Sequence, residues 1–205
     1  YGNVATLKAF EMNGVQEVMA GGTLDFENSI GVDHILATWD GQSLSSAAGG
    51  ISPGRPSVDA LTVFDDGTGP ALYAGGSFDM LGGVEANKIA KWNGKSWSPS
   101  GSGFGPGNSN RILALSEFDD GESLALYAGG TFTTTSGAVG NYVAKGNGKI
   151  WAPLSQEVNN AVSAFALFND GTGSALYAGG YFTMAAGLPA NRIAKWNGVS
   201  WTPLG

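Results

Sequence analysis

The stretch ALYAGGSF at residues 71–78 decides the fold, because the chain repeats it at nearly regular intervals. It returns as ALYAGGTF at 125–132 and as ALYAGGYF at 175–182, and a divergent copy, EVMAGGTL, lies at 17–24. A repeat of about 50 residues that fills a chain is typical of architectures in which each copy forms one small structural unit. The sequence therefore predicts four similar units within its 205 residues.

Each copy has the pattern of four short strands. In the second copy, VDALTVF at 58–64 is a continuous apolar run, as expected of a strand buried on both faces. The turn DDGTG at 65–69 leads into the strand with the glycine pair, and Asp and Gly are common turn residues. The third strand ends at Asn93-Gly94, which predicts a hairpin with a two-residue type I′ turn. The fourth strand, at 95–100, contains a proline and is therefore expected at a sheet edge.

Four-stranded antiparallel units that end in an edge strand predict an all-β fold, a β-propeller of four tandem four-stranded antiparallel blades in one domain. A small closed ring, part of a larger propeller and an open arc all remain compatible with this pattern. We interpret the glycine pairs as packing residues, with Ala74 and Gly76 forming a shallow shelf for a neighbouring blade. The blades are expected at approximately 1–50, 51–101, 102–155 and 156–205.

The glycine pair, a following tryptophan such as Trp97 and the period near fifty resemble the kelch repeat of galactose-oxidase-like propellers. The kelch pattern places a tyrosine between the glycines and the tryptophan, and this chain has no clear counterpart to it. The sequence is also similar to blade repeats of uncharacterised secreted bacterial proteins. Both resemblances imply a propeller fold, and neither implies an activity.

The amino-acid composition argues against several classes of partner and site, and favours one cellular location. The net charge of −7 and the ten scattered Lys and Arg residues argue against nucleic acid or an anionic membrane surface. No apolar run is long enough to span a bilayer, so we expect no membrane insertion. Cysteine is absent, which excludes disulfide scaffolds, zinc–thiolate sites and thiol nucleophiles. A weakly charged, acidic surface rich in small polar residues favours an extracellular or cell-surface bacterial location.

One acidic loop is the candidate metal site. Asp25, Glu27 and Asp33 lie close together in the first copy, and calcium prefers six to eight oxygen ligands. The loop lacks the spacing of an EF-hand, and a solvated acidic loop is the favoured interpretation. The DDGTG turns resemble fragments of calcium loops, although turn chemistry alone explains them. We therefore expect no cofactor, with calcium as the one alternative.

The loops that join the second to the third strand, and those that join successive blades, should share one face of the molecule. Propellers commonly bind ligands on such a face, because its loops vary while the scaffold stays rigid. Phe104, Arg55 and Arg111 are the large side chains expected to point outward there. His34, the only histidine, occupies the position before the third strand that asparagine fills in the other copies, and capping this strand is its favoured role. The ligand-face candidates are His34, Arg55, Asn87, Phe104, Arg111, Asn141 and Asn191.

Three functions remain open on the sequence alone. A copper site of the galactose-oxidase type requires ligands that this chain lacks, and no GxSxG or phosphate-binding motif occurs. The favoured function is a non-catalytic extracellular or cell-surface interaction propeller that binds a protein or a glycan through its loop face. One alternative is a structural subunit that self-associates through its blade faces. The other is a carboxylate-based, glycan-active enzyme domain.

Overall fold

Strands and tight turns make up the described part of the chain, which contains no helix. The structure is a computed structural model, and the described residues are 2–12, 14–24, 34–47, 56–105, 109–135, 138–139, 142–154 and 158–204. The all-β prediction is confirmed. Among these residues, none lies in a helix long and apolar enough to cross a membrane.

The strands form four-stranded antiparallel sheets, each built from one copy of the repeat, as predicted. We number the copies units 1 to 4, and in each sheet the strands lie side by side in chain order. A two-stranded hairpin joins the second and third sheet strands of units 2, 3 and 4. Unit 1 contains β1 (Asn3–Met12), β2 (Val15–Leu24), β3 (His34–Trp39) and β4 (Leu44–Ser46). Unit 2 contains β5 (Val58–Asp65), β6 (Pro70–Gly76), β7 (Met80–Leu81), β8 (Val84–Glu85), β9 (Ile89–Trp92) and β10 (Trp97–Pro99). Unit 3 contains β11 (Ile112–Asp119), β12 (Leu124–Gly130), β13 (Thr134–Thr135), β14 (Ala138–Val139), β15 (Val143–Gly146) and β16 (Trp151–Pro153). Unit 4 contains β17 (Val162–Asn169), β18 (Ser174–Gly180), β19 (Met184–Ala185), β20 (Leu188–Pro189), β21 (Ile193–Trp196) and β22 (Trp201–Pro203).

The turn between the first and second strands is held by a side chain that binds backbone amides. In unit 2, Asp65 Oδ1 accepts hydrogen bonds from the amides of Gly67 (2.8 Å) and Gly69 (3.0 Å). Both glycines have positive φ, 89° and 104°, which glycine adopts without a steric penalty. The predicted role of the DDGTG stretch in the turn is confirmed.

The turn between the third and fourth strands differs from the predicted type I′ hairpin. Trp92 pairs with Trp97, so the loop has four residues instead of two. Asn93 Oδ1 accepts hydrogen bonds from the amides of Lys95 and Ser96, both at 2.9 Å. Gly94 has a φ of 90°, whereas Asn93 is not among the described residues with positive φ. The asparagine side chain, rather than left-handed backbone at both positions, therefore shapes this turn.

The two glycines of each pair have separate packing roles. A Cβ on Gly75 would lie 2.6 Å from Ile112 Cγ2 of the next unit. A Cβ on Gly76 would lie 1.9 Å from the carbonyl oxygen of Ser57, in the segment before β5. The packing role predicted for the pair is confirmed, but the first glycine, and not the predicted shelf at Gly76, receives the neighbouring unit.

The hydrophobic core lies between units. The buried apolar side chains form three clusters, and these join unit 1 to unit 2, unit 2 to unit 3, and unit 3 to unit 4. The first strands of successive units pack against each other along this series. In the described strands, no contact of that extent joins unit 1 to unit 4. Each unit is therefore stabilised mainly by its neighbours in the chain.

The strand order gives every unit the same two ends. The turns within the two hairpins of each sheet lie at one end, which we call the turn end. The segments between the second and third strands, and those between units, lie at the other end, which we call the loop end. We also call the side of a unit that meets the preceding unit its leading face, and the side that meets the following unit its trailing face.

Candidate functional site

Phe104 does not belong to an exposed ligand face, which corrects the prediction for this residue. Its side chain is fully buried between units 2 and 3. The ring centroid lies 4.4 Å from that of Phe132 and 5.0 Å from that of Trp151. Because the connection between units folds back onto unit 3, the phenylalanine fills the core and anchors the loop.

Asn87 anchors the same loop from the opposite side. It has a φ of 46°, and its carbonyl oxygen accepts the amide hydrogen bond of Phe104 at 2.9 Å. Its side-chain Nδ2 donates to the carbonyl of Ser102 at 3.4 Å, while Oδ1 is buried without a hydrogen-bond partner. The half-buried amide therefore positions the loop between units 2 and 3, and little of it faces solvent.

Arg111 lies at the loop end and is partly exposed, as predicted. Its Nε and Nη2 atoms donate to the two carboxylate oxygens of Asp59, at 2.5 and 2.7 Å. This paired hydrogen bond to Asp59 raises the pKa of the guanidinium above its ordinary value. Since Asp59 belongs to unit 2 and Arg111 precedes unit 3, the pair also links adjacent units.

The other sequence-predicted candidates are dispersed. His34 is the first residue of β3, opposite Leu24. Asn191 occupies the matching place in unit 4 and is exposed. Arg55, Asn141 and the proposed calcium ligands Asp25, Glu27 and Asp33 lie outside the described residues. Within the described part of the chain, no group of three His, Cys, Asp or Glu side chains is placed to hold a metal.

Exposed aromatic and polar residues lie on adjoining segments at the loop end of unit 4, and only one of them, Asn191, was selected from the sequence. Tyr181 is 62% exposed, and its amide donates to the carbonyl of Ala161 at 2.8 Å. The preceding residue, Gly180, donates its amide to the carbonyl of Arg192 at 3.0 Å. These bonds hold the backbone at Tyr181 against two adjoining segments, each of which carries exposed polar residues. We call this the unit 4 rim, and it consists of Tyr181, Asn160, Asn191 and Arg192.

Comparison of the repeat copies gives a sequence signal for Tyr181 of the unit 4 rim. Ser77 and Thr131 occupy the positions in units 2 and 3 that Tyr181 occupies in unit 4. In those units the short hydroxyl side chains bond the adjacent segment: Ser77 Oγ accepts from the amide of Ser57 at 2.9 Å, and Thr131 Oγ1 donates to the carbonyl of Ser109 at 2.8 Å. Unit 4 therefore has a large aromatic ring at a position where units 2 and 3 have small hydroxyl residues.

Lys88 is a buried charge at the loop end of unit 2. Its side chain is fully buried and forms an ion pair with Asp79, and Nζ also donates to the carbonyl of Ser77 at 3.4 Å. Its backbone carbonyl accepts the amide of Gly76 at 3.0 Å. Tyr142 and Arg192 share its position and its positive φ in units 3 and 4, so the backbone conformation recurs in these units. Burial of the cation distinguishes unit 2, because Arg192 is exposed.

At the turn end of units 2, 3 and 4, a repeated hydrogen-bond network holds the first hairpin to the third strand. In unit 2, Asp66 Oδ2 accepts from the hydroxyl of Tyr73 at 3.2 Å and from Nζ of Lys91 at 2.7 Å. Lys91 also donates to Thr68 Oγ1 at 2.7 Å. Units 3 and 4 repeat the acid–tyrosine–lysine set, as Asp120, Tyr127 and Lys145, and as Asp170, Tyr177 and Lys195.

The network shifts the ionisation of its members. Burial opposes the charge on Asp120, but Lys145, Tyr127 and two backbone amides outweigh it and lower the pKa of the carboxyl to about 2. Burial and the nearby Asp120 raise the pKa of Tyr127 above its ordinary value. The acid is therefore ionised and the phenol neutral throughout the ordinary pH range, as a fixed structural network requires.

This turn end also receives the following unit. A Cβ on Gly148 of unit 3 would lie 2.4 Å from the Tyr73 hydroxyl oxygen of unit 2. Gly198 of unit 4 is equally close to unit 3, 2.4 Å from the carbonyl oxygen of Asp120. The network is thus part of the contact between units.

Comparison with protein-family models, with curated proteins and with solved structures finds no match. Function therefore has to be inferred from the residues of this chain.

Proposed function

We propose that this chain is a non-catalytic interaction domain, with its sheets arranged as blades of a β-propeller of the kelch-like kind. In this proposal the domain binds a protein or a glycan through its loop end and is extracellular or on the cell surface. Sheets that share one strand order, with first strands packed side by side, support the blade interpretation. The acidic, weakly charged composition, rich in small polar residues, supports the location.

The unit 4 rim is the observation on which the binding function rests. An exposed tyrosine offers a large apolar surface with a polar tip and loses little side-chain freedom when it binds. Exposed amide and guanidinium groups of the adjoining segments can add hydrogen bonds to a polar partner. Tyrosine and arginine are also the residues that contribute most at protein interfaces.

The titratable groups of the described residues support a role without catalysis. Asp40, Asp66, Asp120 and Asp170 have a pKa below the ordinary value, and each binds backbone amides or side-chain donors that fix a turn. Perturbed groups at catalytic sites are matched to a proton-transfer task and have a pKa near the working pH. These carboxylates instead satisfy donors of their own unit.

Binding should be tested with the full 205-residue chain on an array of immobilised glycans and against a phage-displayed peptide library. We expect selective binding, and we expect Tyr181→Ala to weaken it at least tenfold, since a central aromatic residue often contributes about 2 kcal/mol. Val199→Ala is the matched control, because Val199 is exposed at the turn end. Binding that is unchanged in Tyr181→Ala, or no binding to either collection, would contradict the proposal.

A further inference from the structure

The two outer faces of the series of units are uncovered versions of faces that are buried elsewhere in the same chain. Leading faces of units 2 to 4 carry a β-branched residue that packs onto the first glycine of the preceding unit. Val58 packs onto Gly21 in this way, and Ile112 packs onto Gly75. The corresponding residue of unit 1, Val4, is 54% exposed.

Other residues of the unit 1 leading face are also uncovered. Leu7 is 65% exposed, whereas its counterpart Leu61 is buried against unit 1. Gly41 has open space at its Cβ position, whereas Gly148, in the matching turn of unit 3, rests on unit 2. The leading face of unit 1 therefore has the apolar residues of an interface and no covering unit among the described residues.

The trailing face of unit 4 shows the same contrast. Phe168 is 59% exposed, while its counterparts Phe64 and Phe118 are each 3% exposed. Ile193 is 42% exposed, although its counterpart Ile89 is fully buried. A Cβ on Gly179 would approach only a carbonyl oxygen at 4.0 Å.

The uncovered trailing face keeps the geometry of the buried ones. The rings of Phe168 and Tyr177 meet edge to face with centroids 5.7 Å apart. The buried pair Phe118 and Tyr127 has the same separation, 5.7 Å, and a similar angle. This aromatic pair therefore already has the geometry that it has in a buried trailing face.

We propose that the trailing face of unit 4 binds the leading face of unit 1 in a second copy of this chain. In this arrangement Val4 of one copy packs onto Gly179 of the other, as Val162 packs onto Gly129 within the chain. The contact continues the interface that already joins successive units, and it joins two unlike faces, so copies add head to tail. This inference is independent of ligand binding at the loop end.

The contact between copies should be weaker than the contacts that join unit 1 to unit 2 and unit 2 to unit 3. Trp97 and Trp151 donate their indole N–H groups to carbonyls of the preceding unit, Ala47 and Ser100, each at 3.2 Å. Unit 1 has Leu44 at this position and lacks the donor. Association is therefore expected to depend on concentration.

Light scattering after size-exclusion chromatography tests the proposal on the full chain and on two blocked variants. Leu7→Arg blocks the leading face and Ile193→Arg blocks the trailing face, and both sites are exposed, so both variants should fold. We expect the wild-type mass to rise above 20.9 kDa with concentration, and each variant to stay monomeric. An equimolar mixture of the variants should form a one-to-one complex, because each retains the face that the other lacks. Leu124→Arg, at an exposed site of unit 3, should associate as the wild type does.

Three results would overturn the proposal. A wild-type chain that is monomeric at every concentration would mean that no second copy binds, and reduced thermal stability of both variants would then indicate that the ends meet within one chain. Self-association of either variant alone would mean that like faces meet. Failure of the mixed variants to form a complex, with an associating wild type, would place the contact elsewhere.

Discussion

At the residue scale, a glycine can be required because a neighbouring atom leaves no room for a Cβ or because the backbone has a positive φ. The first glycines of the repeated pairs distinguish these two reasons. Gly75 and Gly179 occupy the same place in units 2 and 4, and neither has a positive φ. They differ in what a Cβ would meet, which is Ile112 at 2.6 Å for Gly75 and only the carbonyl oxygen of Arg192 at 4.0 Å for Gly179. The requirement for glycine here therefore comes from the neighbouring unit.

This difference predicts opposite effects for one substitution. Gly75→Ala should destabilise the chain by about 1–3 kcal/mol, the usual cost of overpacking, because buried Ile112 cannot move aside. Gly179→Ala should leave monomer stability unchanged or raise it by about 0.4–1 kcal/mol through reduced freedom of the unfolded chain. Urea unfolding of both variants at low protein concentration measures this. Equal destabilisation by the two substitutions would show that the backbone, and not the neighbour, requires glycine.

Acid stability is a second prediction at this scale. The folded-state pKa of Asp120, about 2, lies below the ordinary value of 3.8. A lowered pKa adds stability above the unfolded-state value, and this contribution, at most about 2 kcal/mol, is lost as pH falls from about 4 to 2. Asp120→Asn should therefore be less stable than the wild type at pH 7, and the gap should narrow below pH 4. Glu122→Gln is the control, since Glu122 is highly exposed and lies 3.6 Å from Lys145.

The free energy of unfolding of the wild type and of both variants, measured from pH 7 to pH 2, tests this prediction. A gap between the wild type and Asp120→Asn that stays constant over this range would mean that the charge of Asp120 does not stabilise the network.

At the element scale, local sequence signals predicted the strands, whereas burial that depends on contacts between distant segments was not predicted. The strand positions followed from apolar runs bounded by Asp, Asn and Gly, because hairpins form between neighbouring segments. Phe104 was predicted to be an exposed loop residue. Its partners Phe132 and Trp151 are distant from it in the sequence, and only the packing of unit 3 brings them into contact with it. Burial of a loop residue depends on such packing and has no local signal.

The turn-end network shows what the repeat could have revealed. Tyr73 pairs with Lys91 across the second and third strands, and the same pair recurs in units 3 and 4. In unit 1 the corresponding pair is Met19 with Thr38, so both members change together. Joint replacement within one chain indicates contact, and this signal was available from the sequence. The unit 4 rim, by contrast, required the hydrogen bonds that bring its segments together.

The prediction at the element scale concerns the tryptophan that begins the edge strand of unit 3. Trp151 begins β16, and its Nε1 donates to the carbonyl oxygen and to Oγ of Ser100 in unit 2, both at 3.2 Å. Trp151→Phe removes these bonds and leaves buried acceptors, which costs about 1–3 kcal/mol in addition to a small packing loss. Trp39→Phe should cost much less, because Trp39 is substantially exposed. Chemical denaturation of both variants measures the difference, and equal effects would mean that the indole bond adds nothing to the contact between units.

At the scale of the whole molecule, stability comes from a series of contacts between neighbouring units. The three apolar clusters each span two adjacent units, and the loop-end pair of Asp59 and Arg111 also joins neighbours. In such arrays stability is approximately a sum of unit terms and nearest-neighbour terms. Removing a terminal unit should therefore remove the stabilisation from one interface between units and leave the other interfaces intact.

A chain that begins at Pro56 and lacks unit 1 tests this property. We expect it to fold, because the contacts of units 3 and 4 do not involve unit 1 among the described residues. Its midpoint of thermal unfolding should fall, since Val58 and Leu61 lose their cover and Trp97 loses the carbonyl of Ala47. Near-ultraviolet circular dichroism should keep the tryptophan signal of units 2 to 4, which contain all the tryptophans except Trp39. Complete loss of that signal would mean that unit 1 also supports unit 4, as in a closed ring, and would count against an open series that binds a second copy.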